Sequence, residues 1–202
     1  SDLKTSQQPF FSTLLTLSTH EPFEVPVQTP FNDPSEPELF KKSAWYTDYC
    51  LGKYFAQAKN EPWYANTIFI LVADHGHRLP LNRSFDDPLI RRIPMLIFGN
   101  PLKQELIGTK VDAIGNQNDL PATLLSALNY SHNEFPWSRN LMVKSQNPFA
   151  YLSLDYAISW VHQKGNTIVR LDSKEVSVSA DSVEYKTAKA YLQQLYKSFL
   201  SF

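Results

Sequence analysis

The stretch that decides the fold class reads Asn66-Thr-Ile-Phe-Ile-Leu-Val-Ala-Asp-His-Gly76. Its apolar run shows no polar alternation and is rich in branched residues, which predicts a central strand covered on both faces. Asp74 and His75 follow directly at the carboxyl end of that strand, where open α/β sheets place their ligand sites. The backbone turns there, and we expect Gly76 to give it the freedom that lets both side chains reach one ion.

A carboxylate next to an imidazole is a ligand pair that suits a divalent metal. One hard oxygen and one ring nitrogen fit Mn²⁺ or Zn²⁺, and they fit Ca²⁺ less well. The alternative is that Asp74 and His75 only cap the loop after the strand. These two residues alone do not decide between a metal site and a structural cap.

The segments upstream of this strand predict a strand, a loop and a helix. Residues 10–19 are apolar and β-branched, which predicts a buried strand. Residues 21–37 hold five prolines, so they are expected to form a long surface loop. Residues 38–60 place apolar side chains near helical spacing, which predicts a helix.

The segments downstream complete an α/β pattern. Residues 93–98 predict a second buried strand, and residues 119–128 predict a short helix with Asp119 as its N-cap. We therefore expect a mostly parallel sheet flanked by helices over about 10–147, as part of a single domain. Over 148–202 we expect an antiparallel β-meander and a terminal helix. The meander strands are predicted at 149–154, 157–163, 167–172 and 175–179, and the helix at 182–199.

Composition and charge limit the classes of partner. The 202 residues carry a formal net charge of −1, from 19 basic and 20 acidic side chains. Such a balance gives no support for a nucleic-acid partner. The longest apolar run, residues 68–73, is far shorter than the ~20 residues of a membrane-spanning helix. We therefore expect no membrane segment in this chain.

Four segments, taken in order, resemble the alkaline-phosphatase/sulfatase superfamily, and most of all its lipoteichoic-acid synthase and phosphoglycerol-transferase branch. They cover about residues 10–130, and the order of all four makes the resemblance specific. The remaining residues resemble the family only loosely. The four segments are Leu15-Thr-Leu-Ser-Thr-His-Glu-Pro-Phe23, Trp63-Tyr-Ala-Asn-Thr-Ile-Phe-Ile-Leu-Val-Ala-Asp-His-Gly76, Arg92-Ile-Pro-Met-Leu-Ile-Phe98 and Gln117-Asn-Asp-Leu-Pro-Ala-Thr-Leu-Leu125.

The resemblance implies roles for particular residues. Asp74 and His75 would be two ligands of one divalent metal, Mn²⁺ or Zn²⁺, with Mg²⁺ or Ca²⁺ as further alternatives. His20 would lie in the substrate pocket and contact the phosphate or its leaving group. His77 has no clear counterpart, and it either contacts the substrate or a metal ligand, or is solvated. Arg78 is likewise a candidate contact for an anionic group of the substrate.

The resemblance also implies what this chain lacks. Its members use a Thr or Ser nucleophile and an acidic metal ligand that lie far upstream of the segment matching His20, whereas only 19 residues precede His20 here. We therefore expect the C-terminal part of a catalytic domain that is inactive alone and binds metal weakly or not at all. The parent would be a bacterial membrane-anchored protein with this domain outside the cytoplasm.

Three functions stay open at this point. The parent would transfer a phosphoglycerol- or phosphoethanolamine-type head group from a phospholipid, or it would hydrolyse a phosphate or sulfate ester. The third alternative is a non-catalytic remnant that binds an anion or a partner. Because Leu14, Leu15 and Leu17 would lose a neighbour if upstream elements were missing, we also expect the chain to self-associate as a two-fold dimer.

Overall fold

The structure is a computed structural model that describes residues 9–84, 87–172 and 182–201. Contacts divide the chain into two compact units, Ser1–Thr109 and Lys110–Phe202, and each is described by itself. The expectation that the chain is part of a single catalytic domain stays a prediction. Among the described residues, none of the helices is long and apolar enough to cross a membrane.

The first unit consists of one long helix and a two-stranded sheet. Helix α1 spans Glu36–Ala58, strand β1 spans Phe69–Val72 and strand β2 spans Met95–Phe98. The two strands pair antiparallel with Phe69 opposite Phe98. Short 3₁₀ helices occupy three of the connections: Tyr64–Asn66, Pro88–Arg91 and Gln104–Leu106.

Helix α1 begins at Glu36, two residues before the predicted start, and packs on the sheet. A proline and two acidic residues occupy its first turn, where a fixed φ and negative charge both favour a helix start. The ring of Phe55 meets Phe69 at 5.2 Å and Phe98 at 5.1 Å between centroids, both in edge arrangements. These three rings pack the helix on the sheet and form the apolar centre that both strands share.

The predicted buried strand at residues 10–19 is wrong. These residues form no strand, and Leu14, Leu15 and Leu17 are 80%, 73% and 74% exposed. A strand needs a neighbour to accept and donate its backbone hydrogen bonds, and no described segment of the chain supplies one here. The segment instead ends in a turn in which the backbone N–H of His20 donates to the carbonyl of Leu17 at 3.0 Å.

The predicted parallel pairing is also wrong for the strands that are described. A parallel neighbour requires a crossover connection, usually a helix. The described residues between β1 and β2 contain only turns and the 3₁₀ helix Pro88–Arg91, so the chain returns antiparallel. The strands are also less covered than predicted, since Val72 is 38% and Leu96 is 55% exposed.

The second unit contains the predicted meander and terminal helix. Strands β3 (Phe149–Ser153), β4 (Ala157–His162) and β5 (Gly165–Arg170) form an antiparallel sheet in that order. Helix α2 spans Leu120–Ala127 and helix α3 spans Val183–Phe199. The sheet packs on α3 around a core of Ile158, Trp160, Val169 and Ala188. The strand predicted at 175–179 lies outside the described residues.

An ion pair with a fully buried carboxylate and a partly exposed arginine organises the start of this second unit. Asp119 is fully buried, and its carboxylate accepts hydrogen bonds from the Nε and backbone N–H of Arg139 at 3.0 and 2.8 Å. The backbone N–H of Asn116 donates to the same carboxylate at 2.8 Å. The guanidinium of Arg139 also lies 3.8 Å from the ring centre of Phe149, on β3. One arginine therefore links the start of α2 to the meander.

Candidate metal and substrate site

Asp74 and His75 lie where the sequence predicts them, just after β1. The Nε2 atom of His75 is 3.7 Å from Oδ2 of Asp74, and both side chains are 71% exposed. The Nδ1 atom of His75 is 2.8 Å from the carbonyl oxygen of Gly76. Since a carbonyl only accepts, Nδ1 carries the proton, and Nε2 of the neutral ring presents its lone pair beside the carboxylate.

This pair fits a metal as part of a ligand set. Nε2 of His75 and Oδ2 of Asp74, 3.7 Å apart, are the two donor atoms that would hold a divalent ion here. The Nδ1–H bond to Gly76 is the kind of support that orients a metal-binding histidine. Within the described residues, no group of three or more His, Cys, Asp and Glu side chains is placed to hold an ion. The site is therefore a partial one in the part of the chain that the structure describes.

Gly76 is required by a close approach of the backbone. A Cβ built on Gly76 would lie 2.1 Å from the carbonyl oxygen of Ile90 and 2.8 Å from its carbon. The 3₁₀ helix Pro88–Arg91 thus packs directly against the segment that carries Asp74 and His75. Gly76 does not have a positive φ, so glycine is not required here for the conformational freedom that we expected from the sequence. It is required because there is no space for a Cβ.

The 3₁₀ helix is itself held by a side-chain cap. The carboxylate of Asp87 accepts a hydrogen bond from the backbone N–H of Leu89 at 2.9 Å and another from Arg83 at 2.8 Å. The Leu89 N–H first, and then Arg83, hold the pKa of Asp87 below its ordinary value. The Asp87 side chain is therefore ionised at neutral pH, and the ionised form accepts the capping hydrogen bond.

His77 is packed among aromatic rings rather than solvated. Its ring stacks on Phe40 with centroids 5.0 Å apart and an angle of 12° between the planes, and it meets Phe23 edge-on at 5.9 Å. Nδ1 accepts a hydrogen bond from the backbone N–H of Leu79 at 3.1 Å, which leaves the proton of the neutral ring on Nε2. Nε2 lies 3.8 Å from Oε1 of Glu21.

Arg78 is engaged by other side chains. Its Nη2 atom donates to both carboxylate oxygens of Glu36 at 2.6 Å, and Nη1 donates to the side chain of Asn82 at 2.5 Å. An anion would have to compete with Glu36 for this guanidinium. The structure therefore gives Arg78 an observed role in holding the start of α1, and its predicted role as an anion contact stays a prediction.

His20 lies on an exposed turn. Its Nδ1 is 2.8 Å from the carbonyl of Glu21, and its own carbonyl accepts a hydrogen bond from the backbone N–H of Phe23 at 2.9 Å. The exposed ring leaves Nε2 of its neutral form as the atom able to accept a hydrogen bond from a ligand.

Sequence reasoning did not find the side chains that surround this loop. Glu21 and Phe23 contact His77, and Phe40 covers its ring from helix α1. The spacing of Glu36 and Phe40 places both on one face of α1, which was a readable signal. Their partners, Arg78 and His77, follow 42 and 37 residues later, and no local pattern predicts pairs at that distance.

Comparisons with known proteins agree with the resemblance in the motifs. The chain is 25% identical to lipoteichoic acid synthase 2 of Bacillus subtilis (strain 168) over 210 aligned residues, which cover 91% of this chain and 32% of that protein. It is 30% identical to a sulfatase of Formosa agariphila over 146 residues, covering 69% of this chain and 27% of the relative. The chain therefore spans about a third or less of the curated relatives it matches.

A solved structure supports the fold over nearly the whole chain. A protein in the alkaline phosphatase superfamily from Vibrio parahaemolyticus superposes with a TM-score of 0.73 at 25% identity. The match covers 98% of this chain and 51% of that one, which confirms the alkaline-phosphatase-like α/β fold. Members of this superfamily generally use a divalent metal. Since the sulfatase family model matches residues 2–130, more than half of the sequence, the chain belongs to the sulfatase family.

Proposed function

We propose that this chain is the C-terminal part of a metal-dependent catalytic domain that transfers a phosphoglycerol- or phosphoethanolamine-type head group. Its nucleophile, a Thr or Ser, would lie upstream of Ser1, and the chain alone would be inactive. The proposal includes a location outside the cytoplasm, in a parent anchored to a bacterial membrane. The single observation that carries it is the pair of donors on Asp74 and His75, 3.7 Å apart at the end of β1 in a sulfatase-family chain.

Each residue of the candidate site has a separate task in this proposal. Asp74 supplies a carboxylate oxygen and His75 supplies Nε2, oriented by its Nδ1–H bond to Gly76. The divalent ion, when bound, supplies positive charge that polarises the ester and lowers the pKa of an attacking hydroxyl. His20 presents Nε2 to the phosphate or to its leaving group. Because Asp74 and His75 are both exposed, a substrate reaches them without opening the fold.

The likeness to lipoteichoic acid synthase 2 over 91% of this chain favours the transferase over a hydrolase. A phosphate or sulfate ester hydrolase is the second candidate, favoured by the 30% identity to a protein described as a sulfatase. The two differ in the acceptor. A transferase passes the head group to another hydroxyl, whereas a hydrolase passes it to water.

Turnover by a longer protein that contains this chain within a complete catalytic domain tests the proposal. Phosphatidylglycerol vesicles and p-nitrophenyl sulfate would be offered with Mn²⁺, and products identified by mass spectrometry. We expect diacylglycerol release that falls by about 100-fold or more in His75→Ala, as for loss of a catalytic group. His132→Ala, which removes a histidine ring in the other unit, is the matched control and should leave the rate unchanged.

Three results would contradict the proposal. Sulfate release without head-group transfer would favour the hydrolase. Full activity of His75→Ala would show that His75 is not part of the active site. Turnover by the 202-residue chain alone, abolished in His75→Ala, would show that no upstream nucleophile is needed.

A further inference from the structure

Phe23 has a backbone conformation that bulky residues rarely adopt. Its φ is 63°, in the left-handed region, although the residue is not glycine. Its side chain is only 3% exposed. Strained conformations of this kind persist where surrounding contacts enforce them, and they concentrate at functional sites. Phe23 lies three residues after His20, and its backbone N–H donates to the carbonyl of His20 at 2.9 Å.

The Phe23 ring packs against two other rings, those of His77 and Phe40. The rings of His77 and Phe23 are nearly perpendicular with centroids 5.9 Å apart, and the His77 ring stacks on Phe40 of α1 at 5.0 Å. Phe23 and Phe40 also meet edge-on, with centroids 5.6 Å apart. Each of the three rings therefore touches the other two. His77 is also two residues from His75, so this cluster ends beside the metal-ligand pair.

Two polar contacts reinforce the same arrangement. Nε2 of His77 lies 3.8 Å from Oε1 of Glu21. This is a second contact between the His77 ring and residues 20–23, which we call the His20 loop. The next residue, Arg78, pairs with Glu36 at the first position of α1. Helix α1 thus contacts consecutive residues of the chain through Glu36 and Phe40. Helix α1 and residues 21–23 therefore both contact the segment after Gly76.

We propose that His77 is a positioning residue that holds the His20 loop in a fixed position relative to Asp74 and His75. The role of His20 as a substrate contact rests on the proposed function. The ring acts through Phe23 and Glu21 and does not itself touch substrate. The packing of the His77 ring against Phe23 and Phe40 contributes to the burial of Phe23, three residues after His20, which solvation of His77 does not explain.

Hydrogen exchange in the 202-residue chain tests this directly. In His77→Ala, we expect exchange of the Phe23 amide to accelerate by about tenfold, because losing aromatic packing raises local opening. Amides of β1 and β2 should keep their rates. The ring signals of His20 should move toward the positions of an unstructured peptide. His77→Phe, which retains the ring stack, should keep the Phe23 exchange rate and the His20 ring signals close to those of the wild type. Glu21→Gln should accelerate exchange of the Phe23 amide less than His77→Ala does.

The controls separate positioning from general loss of structure. His132→Ala should leave the Phe23 amide and the His20 ring signals unchanged. Equal acceleration at β1, β2 and Phe23 in His77→Ala would overturn the proposal, because the ring would then support the unit as a whole. Unchanged exchange at Phe23 would overturn it as well. These readouts do not depend on turnover, so the result stands apart from the His75→Ala assay that tests the proposed function.

Discussion

At the scale of single residues, Gly76 connects the ligand pair to its support. The carbonyl of Ile90 occupies the space that any Cβ at this position would need, 2.1 Å from its ideal place. His75 in turn donates its Nδ1–H to the carbonyl of Gly76, so a shift of this backbone also moves the imidazole. The residue types Asp, His and Gly were readable from the sequence. The close approach was not, because it depends on a 3₁₀ helix twelve or more residues further along.

Replacing Gly76 should therefore be costly. We expect Gly76→Ala to lower the free energy of unfolding by about 1–3 kcal/mol, as for overpacking against a rigid backbone. Gly52→Ala is the matched control, because a Cβ there meets nothing within 4 Å inside α1. That change should stabilise by about 0.5–1 kcal/mol. Urea unfolding followed by circular dichroism measures both, and equal effects of the two variants would contradict the account.

At the scale of elements, the sequence predicts helices and hairpins well but not strand partners. Helix α1, the short helix α2, the meander and α3 all appear near their predicted bounds. Their signals are local, since helical spacing and hairpin turns need only neighbouring residues. The apolar residues 10–19 have the composition of a strand, but pairing depends on a neighbour that local pattern does not reveal. The direction of β2 depends likewise on whether a crossover helix precedes it.

The Asp119–Arg139 pair is the element-scale contact with the largest expected effect. Arg139→Met should lower the free energy of unfolding of the second unit by about 3–5 kcal/mol, because it leaves a fully buried carboxylate without its partner. Lys164→Met, which breaks the exposed pair with Glu184, is the matched control and should change stability by less than about 1 kcal/mol. Similar unfolding midpoints for the two variants would show that Asp119 is satisfied by backbone groups alone.

At the scale of the whole molecule, the exposed leucines of residues 14–17 form an apolar patch that is unusual on the surface of a monomer. Three leucines within four residues are at least 73% exposed. We expect the chain to form a two-fold dimer as concentration rises, because such a patch favours association. Light scattering across a concentration series measures it. Replacing Leu14, Leu15 and Leu17 by serine should shift the chain to monomer, whereas Leu81→Ser, at another exposed leucine, should not. A wild-type monomer at every concentration would contradict this.

Our central proposal is that Asp74 and His75 are two ligands of a metal centre that is only partly present in the described residues. Titrating the 202-residue chain with Mn²⁺ while following its histidine ring signals by NMR tests it most directly, since paramagnetic broadening detects even weak binding. We predict that the His75 ring broadens first, with an affinity weaker than micromolar because two ligands are too few, and that Asp74→Ala removes the effect. Broadening that does not favour His75, or that survives in Asp74→Ala, would contradict the ligand assignment. A sub-micromolar site lost in Asp74→Ala would contradict the claim that the site is incomplete.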